Sequence, residues 1–403
     1  MNSHIYKLFT IILSAVIVNM NSNVNASVND ILLSISKNNP DIKAAISQAS
    51  SDSIDLATTN YIEDPSIDFE YLFGAKSVGD KWGIGVSQAF EWPGVYIKRK
   101  QANKSKASAI TYSKVMKQLE VIYGAKLLCL NLIKTNRQIA IQQEIYNHYE
   151  ALYNNYSTAY EKREITILDI NKLHIEVINS KQVLDELKIA RGKIVEDLTA
   201  LNNNTPIEKE LLENITEYPC EDFLPIETYI MQYRELDPEN NYYKKMHEAY
   251  KIENSVSKMG WIPKFAVGYK YSNEIGDGFN GITIGASIPL FSNRKKTKAA
   301  KAQEIASAYT SQSIENTSVT NIKTKFAKAV SLKEQIETYR TAFNFADNQD
   351  LLTKALESRQ ISLLDYIQEL VYFLNMENKI LDIEHEYYTT MADLNKFSIL
   401  LNH

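Results

Sequence analysis

Proline and glycine are scarce in this 403-residue chain, at 9 and 13 residues. So few breakers exclude a fold of many short elements and leave room for long helices. An excess of positive charge is also missing. The net charge is −5, which removes the basic footprint expected of a nucleic-acid-binding protein. Two cysteines exclude a disulfide scaffold. Cys129 lies in the apolar run LLCLNLI and Cys220 in a polar stretch, so the pair reads either as a bridge or as one buried and one exposed thiol. The six histidines (His4, His148, His174, His247, His385, His403) form no HExxH or paired ligand spacing. His148 and His174 read as solvated helix residues. Methionine, at 8, makes no stripe for a soft metal. No glycine-rich phosphate loop is present. These gaps point away from an enzyme, with no catalytic, metal or cofactor residues expected.

No stretch reaches 18 apolar residues, so no transmembrane helix is expected. The longest run, Leu8–Val18, follows Lys7 and precedes Val24 and Ala26. A positive start, a short apolar run and small residues at −3 and −1 read as a secretory signal peptide over 1–26. Neither cysteine follows that run, so a lipid anchor on cysteine is not expected.

What the chain has is a duplication. Pro40 and Pro65 recur as Pro238 and Pro263, an offset of 198. GVSQAF at Gly85 recurs as GASIPL at Gly285, an offset of 200. YEKREITILDI, from Tyr160, recurs as LESRQISLLDY, from Leu356, an offset of 196. Two homologous repeats follow, 27–203 and 224–403, joined by a linker at 204–223. Each is expected to hold a first helix (27–60; 224–259), two strands, and two long helical segments around a short turn.

The strands are expected at 65–74, 81–90, 264–272 and 281–290, with loops at 74–80 and 272–280. All four alternate with period two. Ile67, Phe69, Tyr71, Trp82, Ile84, Val86, Phe265, Val267, Tyr269, Ile282 and Ile284 fall on one side; Asp68, Glu70, Gly83, Gly85, Gly268, Lys270 and Thr283 fall on the other. Two readings stand: a sheet packed on a helix in a soluble domain, or transmembrane strands facing lipid on one side. In lipid, open sheet edges leave backbone groups bare. Four strands cannot close a barrel, whose smallest form has about eight. The second reading therefore requires several copies to share one barrel.

Residues 95–163 contain no proline and one glycine, Gly124. Apolar residues recur at helical spacing through Leu119, Leu130, Ile145 and Tyr149, and a heptad register runs from Leu173 to Leu201 and from Ile367 to Met391. About 70 residues at ~1.5 Å each give a rod of roughly 100 Å. The two quoted turns, 160–170 and 356–366, are where outgoing helices reverse. Ile165, Ile361, Leu168 and Leu364 are expected to pack the reversal. Thr166 and Ser362 are placed to cap the returning helices, with Asp169 and Asp365 in their first turns.

On the duplicated plan, the junctions SQAFEWPG and ASIPLFSNRKK and the two turns, the sequence resembles the TolC-like outer membrane efflux proteins. The resemblance covers 27–403 and is weakest in the linker. It implies a mainly α fold with a small β part: a homotrimer whose four transmembrane β-strands per chain form a 12-stranded barrel in outer membrane lipid, continued by an α-helical coiled-coil tunnel into the periplasm. It implies passive export of small molecules or ions, opened by a periplasmic adaptor that links the channel to an inner-membrane efflux pump. Carried over, the adaptor-docking tips are Arg163, Glu164, Ile165, Thr166, Ile167, Arg359, Gln360, Ile361, Ser362 and Leu363. The pore constriction falls on Asp365 and then Asp169. The family usually has glycine where this chain has Arg163 and Arg359. The alternatives are a periplasmic adaptor, which would carry one hairpin and more β structure, or a coiled-coil scaffold, which would need no lipid-facing strands.

Overall fold

A computed structural model describes residues 24–161 and 166–398, with side chains from Val28 and excepting Asn214 and Ala346. Most of the expected signal peptide lies outside these residues. The chain opens with α1 (Val24–Asn38) and α2 (Pro40–Thr58). Strands β1 (Ser66–Leu72) and β2 (Lys81–Phe90) follow. Then come α3 (Pro93–Glu161) and α4 (Ile167–Leu201). Across the linker lies the short α5 (Lys209–Asn214). The second repeat gives α6 (Ile226–Leu236), α7 (Pro238–Met259), β3 (Lys264–Glu274) and β4 (Asp277–Ser287). It ends with α8 (Lys296–Ala342), α9 (Phe345–Glu357) and α10 (Leu363–Leu394).

Three expectations are corrected. Each opening helix is two helices, broken before Pro40 and Pro238. Proline disfavours the helical conformation in the residue before it, yet suits the first turn of a new helix. At the second break Asp237 is the N-cap, its Oδ1 accepting the Glu239 backbone N–H at 2.9 Å. The second outgoing segment is not continuous like α3 but is interrupted between Ala342 and Phe345. The loop expected over 272–280 is mostly strand. Its ladder runs to the Glu274↔Asp277 pair, and Ile275 and Gly276 make a two-residue turn at φ 56° and 92°. Two positive φ values match the twist of an antiparallel hairpin.

The chain forms two compact units. One gathers Pro40–Glu120 and Leu224–Lys325 and contains the sheet; the remaining described residues form the other. Each unit draws on both repeats, so the repeats are not separate bodies.

In the unit without strands, α1 buries Val28, Ile31, Leu32 and Ile35, a 3–4 spacing that makes one apolar face. Asn38 and Asn39 tie α1 to the end of α4, through Asn202 Oδ1 at 3.0 Å and Leu201 O at 2.8 Å. Cys129 is buried and free, Cys220 exposed and free, so no bridge forms between them. Burial pushes the Cys129 thiol up to about 12. The linker is held to α3 by Asn136, whose amide donates to Leu212 O and Ile215 O at 2.9 and 2.8 Å.

The same unit contains a buried ionic cluster. Arg340 Nη1 reaches both Glu377 carboxylate oxygens at 3.0 Å, and Nη2 reaches Glu384 Oε1 at 2.9 Å. Arg137 takes the other Glu384 oxygen at 2.7 Å. Glu377 and Glu384 are both buried, so removing their cation leaves charge without compensation. Arg340→Met is expected to lower stability by about 2 kcal/mol, reduced from the fully buried case by the partial exposure of Arg340. Guanidinium unfolding followed by circular dichroism checks this, and an unchanged midpoint would show the cluster to be energetically neutral.

Candidate functional site

The sheet has the order β1-β2-β3-β4, all neighbours antiparallel. β1 and β4 are therefore its free edges. The register places Phe69, Ile84, Tyr271 and Asn280 in one cross-strand row and Val86, Tyr269 and Ile282 in the next, on a single face. That face is bare. Every residue of β4 is exposed, with Ile282 at 75% and Ile284 at 80%. Among the described residues none covers β4, which does not fit a sheet packed inside a soluble domain. A contiguous apolar surface of this kind marks contact with another apolar phase. Eleven residues in β3 and in β4 match the 9–11 that a tilted strand needs to cross a bilayer. Among the described residues no helix is long and apolar enough to cross a membrane.

The opposite face is charged or small apart from Leu72 and Phe279 near the hairpin ends. Lys81 and Glu274 pair at the hairpin end at 3.1 Å. Lys270 pairs with Glu70 across β2, and Lys264 pairs with Glu63 at the helix end. Gly268 sits where a Cβ would come within 2.7 Å of Val86 O, so only glycine fits that close approach. The first hairpin closes on Asp80, which accepts from Tyr71 OH at 2.9 Å and from the Gly74 backbone N–H at 3.1 Å.

The two turns lie in the other unit and share one design. Thr166 and Ser362 are N-caps, each accepting from the backbone N–H of the aspartate three residues on. Asp169 and Asp365 return the bond, so each turn is a capping box. Asp365 Oδ2 also accepts Ser362 Oγ at 2.6 Å, and Asp169 Oδ2 accepts Thr166 Oγ1 at 2.7 Å. Arg163, Glu164 and Ile165 lie outside the described residues. Thr166, Ile167, Arg359, Gln360 and Ser362 are exposed, Ile361 is half-buried and Leu363 is buried. Leu168 and Leu364 do not pack the reversal as expected; both are exposed, at 66% and 40%. The apolar contacts beneath the turn come instead from Ile145, Tyr149, Leu173, Leu356, Leu363 and Tyr366.

Sequence reasoning missed part of this core. His148 is not solvated. It is half-buried, and its Nε2 hydrogen-bonds Tyr366 OH, which also meets Thr353 Oγ1 at 3.4 Å. Burial lowers its pKa from the ordinary histidine value. His174 is exposed but stacks on Tyr153 at 5.1 Å. A lone helical histidine carries no sequence signal for a partner 218 residues away. No group of three or more His, Cys, Asp or Glu suited to a metal ion occurs among the described residues.

Arg359 adopts φ 58°. Its N–H donates to Leu356 O at 3.0 Å and the Gln360 N–H to Ala355 O at 2.9 Å. This pair of bonds is a Schellman closure of α9, with Arg359 at the left-handed position that favours glycine.

No protein-family model matches this sequence, and no curated protein does. Solved structures do match. The CmeC outer membrane channel of Campylobacter jejuni superposes with a TM-score of 0.75 at 15% identity, over 92% of this chain and 85% of that one. The MtrE outer membrane channel of Neisseria gonorrhoeae gives 0.71 at 13% identity, over 92% and 88%. The VceC outer membrane protein of Vibrio cholerae gives 0.71 at 12% identity, over 93% and 96%. The chain has the TolC-like outer membrane channel fold. The left-handed position at Arg359 is one that glycine takes without strain. Relief of that strain predicts that Arg359→Gly stabilises the protein by about 1 kcal/mol. Thermal unfolding of the variant checks it, and an unchanged or lower midpoint would mean that the arginine side chain compensates locally.

Proposed function

We propose that this chain is one protomer of a homotrimeric outer membrane channel that passively conducts small molecules or ions outward. The observation that carries the proposal is the four-stranded sheet with an exposed apolar face and two free edges. Each bare backbone group at such an edge costs several kcal/mol in hydrocarbon. Three copies supply twelve strands, above the roughly eight that close a barrel. The fold of the channels named above supports the same reading. So does α4, where Leu168, Ile175, Ile178 and Ile189 are exposed while Leu173, Leu184, Ile194 and Leu198 are buried on the opposite side. A helix with two apolar faces needs a second neighbour, and adjoining protomers provide one in a helical tunnel reaching into the periplasm.

At the turns, the exposed Thr166, Ile167, Arg359, Gln360 and Ser362 are offered to a periplasmic adaptor, which connects the channel to an inner-membrane pump. Arg163, Glu164 and Ile165 belong to the same proposed surface. Ile361 and Leu363 support it from the core side. Asp365 and Asp169 form the proposed constriction, with Asp365 first. Their carboxylates then serve twice: one oxygen closes the capping box, and the charge favours cations at the pore entrance. Opening is a rearrangement of the helices at the tips, driven by adaptor docking, with no covalent change to the solute. The two hairpins per chain separate this reading from a periplasmic adaptor.

Extraction and electrophoresis test it. The protein is expected in the detergent-soluble membrane fraction, migrating as a trimer that heating converts to monomer. A monomer released by aqueous buffer would refute the channel reading.

A further inference from the structure

Seven charged side chains belong to the four strands, and four of them sit near strand ends. Lys81 and Glu274 neutralise each other at the hairpin end, Asp277 lies beside the β3–β4 turn, and Lys264 pairs with Glu63 at the helix end. Only Asp68, Glu70 and Lys270 lie mid-strand. All three are on the face opposite the apolar one, and they line a notch of about 270 Å³ with Gly85, Ser87 and Thr283.

Lys270 pairs with Glu70, two strands away. Its stem crosses β2 where that strand has no side chains. A Cβ on Gly83 would lie 3.2 Å from Lys270 Cε, and one on Gly85 would lie 3.7 Å from Lys270 Cβ and Cγ. The two glycines thus let the lysine lie flat against the wall. Asp68 shares a cross-strand row with Gly85 and Lys270, yet the ammonium is taken by Glu70. No ion-pair partner of Asp68 is found among the described residues. The free edge of β4 brings no cation to it either: the side chains on this face of β4 are Asp277, Phe279, Gly281, Thr283, Gly285 and Ser287.

We propose that this notch is a charge filter, in which Lys270 is held flat and neutralised by Glu70 over a glycine lane, and Asp68 gives the barrel interior its preference for cations. The proposal rests on the channel reading above. Two carboxylates against one ammonium leave one negative charge per protomer. A ring of such charges raises the local cation concentration in a water-filled bore. The flat lysine also keeps the bore open at this level.

The test is the potassium-to-chloride permeability ratio, from reversal potentials of single pores in a planar bilayer under a potassium chloride gradient. Recording in a background carrying Asp365→Asn and Asp169→Asn removes both charges proposed at the constriction and leaves each capping box a side-chain acceptor. The starting protein is expected to prefer potassium. Asp68→Asn should lower the ratio, Lys270→Gln should raise it, and Asp68→Asn combined with Glu70→Gln should lower it further than Asp68→Asn alone. Conducting pores whose ratio is the same in all variants would overturn the filter and leave the channel reading standing. A starting protein that does not insert into lipid at all, read by flotation with liposomes, would instead count against the channel reading.

Discussion

A β-strand needs hydrogen-bond partners on both sides, and in hydrocarbon there is no water to stand in for a missing one. The outer strands of this sheet, β1 and β4, lack that second partner within the chain. The apolar face of the same strands is bare, so the sheet satisfies neither its edges nor its surface alone. Sharing a barrel among copies satisfies both at once. The rest of the proposed reading depends on this constraint: four strands call for more than one copy, and further copies would give the exposed face of α4 a neighbour.

The repeats agree at their opening prolines and at their reversals, and they diverge along the outgoing helices. α3 runs for 69 residues without interruption, whereas its counterpart is divided between Ala342 and Phe345. Both returning helices nevertheless begin with the same capping box, through Thr166 and Asp169 or through Ser362 and Asp365. A capped reversal is a local solution that depends on four adjacent residues, so it survives duplication.

Much of this was legible in the sequence because it is periodic or local. The alternation in SIDFEYL and GITIGAS placed the strands, and the hydroxyl-to-aspartate spacing placed the caps. Cys129, inside an apolar run, read as one of two cases and is the buried free thiol. What escaped depends on tertiary context. His148 looks solvated until Tyr366 is brought to it from the other repeat. Leu168 and Leu364 have the composition of packing residues but stay exposed. The tight turn at Ile275 was hidden because a β-branched residue at positive φ runs against local preference. The positive φ of Arg359 shows the same conflict between local preference and the closure of a helix.

The claim that neighbouring chains complete the wall is tested most directly by disulfide trapping between the free edges. In a background lacking Cys129 and Cys220, one cysteine is placed at Phe69 on β1 and one at Ile282 or Ile284 on β4, all on the apolar face. Oxidation is expected to link chains to one another, giving covalent dimers and then a closed trimer as the limiting product. Bridges formed only within single chains, or no bridges from any pairing, would contradict the account.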